Sequence, residues 1–171
     1  MIIYEEILRS FQREKVRYVI VGGIAFNLLG GLRNTSDLDI LVEMSDGNLA
    51  KVVKIFKKQG FGVKQPVNPM DIADNAIRRD WIENKHMKAF NFYKDGGLLE
   101  VDIIVESPVS YKEARKDAVI INTAGIRLPV ISINHLIKMK KKAGRNIDIL
   151  DISELKVIKN LRKRNDKKMG K

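Results

Sequence analysis

Two short stretches decide how this chain folds: Val19-Ile20-Val21-Gly22-Gly23 and Arg33-Asn34-Thr35-Ser36-Asp37-Leu38-Asp39-Ile40. The β-branched run before the first glycine pair predicts a strand over residues 16–21, and residues 24–29 predict a short helix that stops at the next glycine pair. The second stretch predicts a strand over residues 37–43, in which alternate side chains share a face. Asp37 and Asp39 would then project together, with their Cα atoms about 7 Å apart.

Two carboxylates on one face of a strand repel each other unless water or a cation lies between them. A hard divalent cation with oxygen ligands, Mg²⁺ or Mn²⁺, is the usual bridge when phosphate is also bound. Taken alone, however, an Asp-x-Asp pattern is more typical of a polar strand end that faces water. The pair becomes informative only if further carboxylates reach the same place.

A further carboxylate, Asp102, lies in an apolar strand predicted over residues 98–105, and Glu100 shares its face of that strand. Three carboxylates from two neighbouring strands could hold metal ions against a triphosphate. Asp102 lies deeper in the apolar run, where a carboxylate is costly without a cation, and Glu100 lies nearer a glycine turn. We therefore expect Asp102 to be the third ligand, with Glu100 as its rival.

Three other features would suit a phosphate ligand. Gly22-Gly23 lets backbone approach a ligand and leaves N–H groups free at a helix start, although an ordinary tight turn explains such a pair more readily. Lys140 continues the apolar stripe of a helix predicted over residues 132–143, so it either contacts phosphate or extends its ammonium to water. Arg33 would contact triphosphate, pair with Asp39 or face solvent.

The 171 residues are 44% hydrophobic, enough for a core without disulfides, which the absence of cysteine excludes. We expect one domain over residues 1–162 and a basic, flexible tail over residues 163–171. No apolar run is long enough to cross a bilayer, and the acidic N-terminal segment does not resemble a signal peptide. These features predict a cytoplasmic protein with no membrane partner.

The formal charge of +11 is unevenly distributed. Residues 1–137 hold 19 Lys and Arg against 17 Asp and Glu, whereas residues 138–171 hold 13 against 4. A solubilising C-terminal end accounts for most of this excess. The alternative is that an anionic partner, nucleic acid or triphosphate, approaches this end.

The remaining pattern mixes short helices with hairpins and lacks regular strand–helix alternation. Helices are predicted over residues 1–14, 46–59, 111–116, 132–143 and 147–161, with a short strand and an irregular stretch over 61–83. Hairpins are predicted over residues 86–105, around Lys94-Asp95-Gly96-Gly97, and over residues 118–130. The expected fold class is α/β (α+β), a mixed sheet with flanking helices.

The order Gly-Gly, short helix, Arg-x-Thr-x-Asp-x-Asp, and a later lone Asp in an apolar strand resembles the polymerase-beta-like nucleotidyltransferase superfamily. The likeness is greatest to a small prokaryotic group related to abortive-infection nucleotidyltransferase toxins. It extends to a closing motif, His135-Leu136-Ile137-Lys138-Met139-Lys140 with Ala143-Gly144-Arg145 and Asp148, and so covers roughly residues 16–155.

The resemblance implies the nucleotidyltransferase fold and assigns roles by position. Asp37, Asp39 and Asp102 match the catalytic and metal-binding carboxylates. Gly22, Gly23 and Lys140 match the phosphate contacts, although many members have serine where this chain has Gly23.

The expected activity is transfer of a nucleoside monophosphate from NTP to a hydroxyl, with Mg²⁺-dependent release of pyrophosphate. The acceptor is left open between RNA, a protein and a small molecule. The alternative is a non-catalytic nucleotide-binding or antitoxin-like regulatory module of the same fold. The intact set of three carboxylates argues against that alternative, because a decayed site should have lost at least one.

Overall fold

Seven strands form one mixed sheet in the computed structural model, which describes residues 4–94, 96 and 98–169. The strands are β1 (Tyr18–Ile20), β2 (Leu38–Val42), β3 (Gly62–Val63), β4 (Ala89–Lys94), β5 (Leu99–Ile104), β6 (Val119–Thr123) and β7 (Ile126–Val130). Their order across the sheet is β3-β4-β5-β2-β1-β7-β6. The predicted class, a mixed sheet with flanking helices, is confirmed.

Seven α-helices and one 3₁₀ helix accompany the sheet in the described part of the chain. They are α1 (Glu5–Arg13), α2 (Gly22–Leu28), α3 (Asp46–Lys58), the 3₁₀ helix Pro69–Ala73, α4 (Asn75–Glu83), α5 (Tyr111–Lys116), α6 (Ile133–Ala143) and α7 (Asn146–Met169). Most correspond to predicted helices. Helix α2 begins at Gly22, two residues earlier than expected, so the glycine pair belongs to its first turn.

Helix α4 lies in the stretch predicted to be irregular. The side chain of Asp74 caps it by accepting hydrogen bonds from the backbone N–H groups of Ala76 and Ile77. Its buried face consists of Arg78 and Trp81, and the buried arginine interrupts the apolar stripe by which a helix is recognised in sequence.

The last helix also differs from its prediction. Helix α7 continues to Met169, past the end expected near residue 161, so the described part of the predicted tail is helical. The division into residues 1–162 and a flexible tail stays a prediction. Within the described residues, no helix has the length and apolar character needed to cross a membrane.

The strands that carry the acidic residues lie at the centre of the sheet. β2 pairs with β1 in antiparallel fashion on one side and with β5 in parallel fashion on the other. β4 and β5 form the predicted antiparallel hairpin, whose turn residues Asp95 and Gly97 lie outside the described residues. Alternate residues of β2, Leu38 and Ile40, are fully buried.

Candidate active site

Asp39 and Asp102 are direct neighbours across the pair of strands β2 and β5. The parallel register places Leu38 beside Val101, Asp39 beside Asp102 and Ile40 beside Ile103. Adjacent strands lie about 4.8 Å apart, so the two carboxylates emerge side by side from the same face. Glu100, two residues earlier on β5, is not level with Asp39.

The glycine pair that begins α2 makes room for the side chains of this site. Gly22 has a left-handed backbone (φ 67), and a Cβ at this position would overlap the carboxylate of Asp39. A Cβ on Gly23 would lie 2.5 Å from Oγ1 of Thr35. Both glycines are therefore required by the packing of the acidic strand, a role that sequence reasoning did not anticipate. Their contact with phosphate stays a prediction.

Asp37 lies one residue before β2 and is exposed, and Oγ of Ser36 donates a hydrogen bond to its Oδ1 at 2.9 Å. Among the described residues, no three Asp, Glu or His side chains lie close enough together to form a ready metal site. The sheet thus brings Asp39 and Asp102 together, and Asp37 lies just before the first residue of β2.

The carboxylate of Asp39 is electrostatically unfavourable in its surroundings. Burial, followed by the charges of Asp102 and Asp37, raises the pKa of Asp39 to about 6, against the opposing effects of the Gly23 N–H and Arg145. Burial also raises the pKa of Asp102. The site therefore has an excess of negative charge that a cation would relieve.

Asp102 accepts a hydrogen bond from one amide side chain, which is in turn bonded to a second. Nδ2 of Asn91, its cross-strand partner on β4, donates a hydrogen bond to Oδ1 of Asp102 at 2.7 Å. Nε2 of Gln65 donates in turn to Oδ1 of Asn91 at 2.6 Å. Oδ2 of Asp102 accepts no hydrogen bond from the described residues. The rival carboxylate, Glu100, forms a salt bridge of 2.6 Å with Lys64.

A buried ionic network joins α6 to α7. Nζ of Lys140 lies 2.5 Å from Asp151 and 3.4 Å from Asp148, and these three residues are 3%, 4% and 0% exposed. Nη1 of Arg33 contacts Asp151 at 2.8 Å, and Nε of Arg145 contacts Asp148 at 2.8 Å. Burial opposes ionisation of Asp148, but the hydrogen bond and charge of Arg145 lower its pKa overall.

This network bears on two of the predicted phosphate contacts. Lys140 lies on the apolar stripe of α6 as expected, but its ammonium group is bound by two buried carboxylates. Arg33 pairs with Asp151 and not with Asp39, so the alternative of an Arg33–Asp39 pair is wrong. The predicted contacts of Lys140 and Arg33 with triphosphate stay predictions.

A cleft of about 440 Å³ opens beside Asp39 and Gly22. Four basic residues line it: Lys88, Lys140, Lys142 and Arg145. Its remaining lining is largely apolar and includes Ile104, Pro108, Leu136 and Met139. The cleft thus combines positive charge for an anion with apolar surface for an organic group.

Sequence reasoning missed several residues of this site. Asn91 gave no signal of its own, because its role depends on the register between β4 and β5. Asp151 offered a signal that was overlooked: Asp148, Asp151 and the fully buried Leu155 recur at helical spacing on the buried face of α7. Two carboxylates on an apolar face require buried cationic partners.

Nearly the whole chain matches one known protein family. The family described as nucleotidyltransferase of unknown function (DUF6036) matches residues 1–165. The chain belongs to this family. The sequence-based resemblance to polymerase-beta-like nucleotidyltransferases is thereby confirmed, and this nucleotidyltransferase is expected to transfer a nucleoside monophosphate from NTP. No curated protein matches its sequence significantly.

Solved nucleotidyltransferase structures share the fold at low sequence identity. The antibiotic-resistance factor ANT(2'')-Ia, in complex with adenylyl-2''-tobramycin, is 15% identical with a TM-score of 0.56, covering 94% of this chain and 95% of its own. The lincosamide antibiotic adenylyltransferase LnuA, lincomycin-bound, is 18% identical with a TM-score of 0.57, covering 89% and 93%. An antigenic nucleotidyltransferase-like protein from Paracoccidioides brasiliensis is 18% identical with a TM-score of 0.52, covering 88% and 75%.

Proposed function

We propose that this nucleotidyltransferase uses Asp37, Asp39 and Asp102 to hold Mg²⁺ or Mn²⁺ against the phosphates of an NTP. It transfers the nucleoside monophosphate to a hydroxyl acceptor and releases pyrophosphate. The observation that carries the proposal is the register of β2 with β5, which sets Asp39 directly beside Asp102.

The residues present fit a hard divalent cation. Their donors are carboxylate oxygens, and the pKa of Asp39 is raised by burial and by the neighbouring charges of Asp102 and Asp37. The side chain of Asp37 is exposed, and among the described residues it accepts a hydrogen bond only from Ser36, so a turn towards Asp39 would break a single bond. A bound cation would neutralise phosphate charge and make the acceptor hydroxyl easier to deprotonate.

The protein's own contribution is positioning and charge. Four basic residues line the cleft beside Asp39 and would hold phosphate oxygens: Lys88, Lys140, Lys142 and Arg145. The apolar lining would receive the nucleoside. Arg145 is itself held by the fully buried Asp148. The hydrogen bond from Asn91 occupies one oxygen of Asp102 and leaves Oδ2 to accept the acceptor's proton.

The acceptor is best approached experimentally. Two fold neighbours are antibiotic adenylyltransferases or carry an adenylylated antibiotic, which favours testing small hydroxylated molecules such as tobramycin and lincomycin. The basic α7 favours testing total RNA as well.

The deciding experiment is a label-transfer assay. The protein is incubated with each α-labelled NTP, Mg²⁺ and, separately, tobramycin, lincomycin, total RNA and total protein. We expect label on one acceptor class, no transfer by Asp102→Asn, and substantial transfer by Glu100→Gln, its matched control on the same face of β5.

Two outcomes would contradict the assignment. The reverse ranking of the two variants would show that Glu100 and not Asp102 completes the site. A wild-type protein that binds NTP with Mg²⁺ but labels no acceptor would favour the non-catalytic alternative.

A further inference from the structure

A second pocket, of about 420 Å³, lies at the opposite end of β1 from Asp39. It is enclosed by the end of α1 and the loop after it, by α5, and by the β6–β7 hairpin. Tyr18, which lines it, begins β1, whereas Gly22 follows that strand. Four residues of extended chain separate the two by about 13 Å, so this pocket is distinct from the carboxylate cleft.

Four cationic side chains line the pocket: Lys15, Arg17, Arg115 and Arg127. No Asp or Glu is among the described residues that line it. Arg17 forms a salt bridge of 2.6 Å with Glu43, whereas the other three form no salt bridge with any described residue. Residues 1–137 have nearly balanced charge, so this local excess is not a consequence of the basic C-terminal end.

Tyr18 is one of the buried residues that line the pocket. The residue is 4% exposed and packs edge-on against Phe11. Its hydroxyl is buried and has no hydrogen-bond partner among the described residues. Burial raises the pKa of Tyr18, so the residue adds no negative charge to the pocket.

A phosphate group matches these features best. The planar guanidinium groups of Arg115 and Arg127 can each donate two parallel hydrogen bonds to phosphate oxygens. Lys15 adds a third positive charge. Tyr111, whose ring borders the pocket beside Arg115, offers an aromatic surface for an attached organic group.

We propose that this pocket, the Tyr18 pocket, binds the phosphate group of a small phosphorylated ligand. Arg115 and Arg127 are its principal contacts, and Lys15 adds positive charge beside them. The site is separate from the carboxylates of the proposed reaction, so it would bind its ligand without divalent metal.

The test uses the full chain in Mg²⁺-free buffer, with inorganic phosphate and then pyrophosphate followed by backbone amide NMR shifts. We expect saturable shifts at Tyr18 and Arg115. The double variant Arg115→Gln/Arg127→Gln removes exposed side chains and should weaken binding about 10-fold or more, since charge-assisted hydrogen bonds are lost.

A matched control separates a built site from diffuse attraction. Lys54→Gln/Arg79→Gln removes the same charge from exposed positions outside the pocket and should leave binding unchanged. Equal weakening by both double variants, or no saturable shift in the wild type, would overturn the proposal. Shifts confined to residues 22–39 would place the anion at the carboxylate site instead. Binding that tightens steadily with the length of added single-stranded RNA would show a nucleic-acid surface and refute a small-ligand site.

Discussion

Replacing Asn91 with alanine should slow nucleotidyl transfer while leaving NTP binding nearly intact. Asn91 does not face the cleft lining beside Asp39; it acts through Asp102, whose Oδ1 accepts its amide hydrogen bond at 2.7 Å. Without that bond, the carboxylate is free to rotate about its terminal torsion, which is broad for aspartate. Asp102 would then present Oδ2 to the acceptor for only part of the time.

The size of this effect follows from the type of bond. A hydrogen bond to a charged group contributes about 1.5–3 kcal/mol, so its loss at the reacting carboxylate corresponds to a decrease in kcat of about 10- to 100-fold. Gln65 acts one step further away, through a neutral bond of 2.6 Å to Asn91. Gln65→Ala should therefore cost less, about 2- to 10-fold in kcat.

Steady-state kinetics of label transfer would measure both effects, with Asn122→Ala as a control that makes the same change on the exposed face of β6. We expect the KM for NTP to change little in all three variants, because none of them removes a proposed phosphate contact. Thermal melting would identify any variant that is merely misfolded. The reasoning would be refuted if a folded Asn91→Ala variant retained wild-type kcat, or if its loss appeared only in KM.

Three further predictions concern the carboxylates and their surroundings. Gly22→Ala should abolish transfer and lower the melting temperature, because its Cβ would overlap the Asp39 carboxylate. Gly47→Ala, with open space around it, should do neither. Equal behaviour of the two variants would contradict the packing role of Gly22. In metal-free buffer Asp39→Asn should be more stable than wild type by about 1–2 kcal/mol in chemical denaturation, because burial and the charges of Asp102 and Asp37 raise the Asp39 pKa and so disfavour its charged form. A lower stability of the variant would show that the Asp39 charge is already compensated. Lys140→Met should destabilise the fold by about 3–5 kcal/mol, because two buried carboxylates lose their ammonium partner. Lys141→Met, on the exposed side of α6, should have little effect. Denaturant titrations that gave the two variants the same stability would rule out a buried network.

Much of the fold could be predicted because it rests on local periodicity. The alternation in residues 37–43 predicts a strand with its acidic residues on one face, and the hairpin over residues 118–130 follows from turn chemistry at Ala124-Gly125. The prediction of an irregular stretch before residue 84 was wrong for helix α4, because this helix buries an arginine at a position where an apolar residue would indicate a helix.

Local sequence patterns predicted only part of the candidate site. Its carboxylates could be named from residue type and spacing, since both are properties of a short segment. The choice of Asp102 over Glu100 as the neighbour of Asp39 depends on the register between β2 and β5, whose paired residues lie 63 positions apart in the chain. A shift of that register by two residues would keep every local pattern and exchange the two acids.

The surroundings of the carboxylates were decided by tertiary structure alone. Lys140 was predicted to lie on an apolar stripe, but its partners, Asp148 and Asp151, come from the next helix, and Arg33 reaches the same network from a loop more than a hundred residues earlier. Local propensities fix which face of an element a side chain occupies. Which distant charge compensates it is settled only when the elements pack, because burial is what makes an unpaired charge costly.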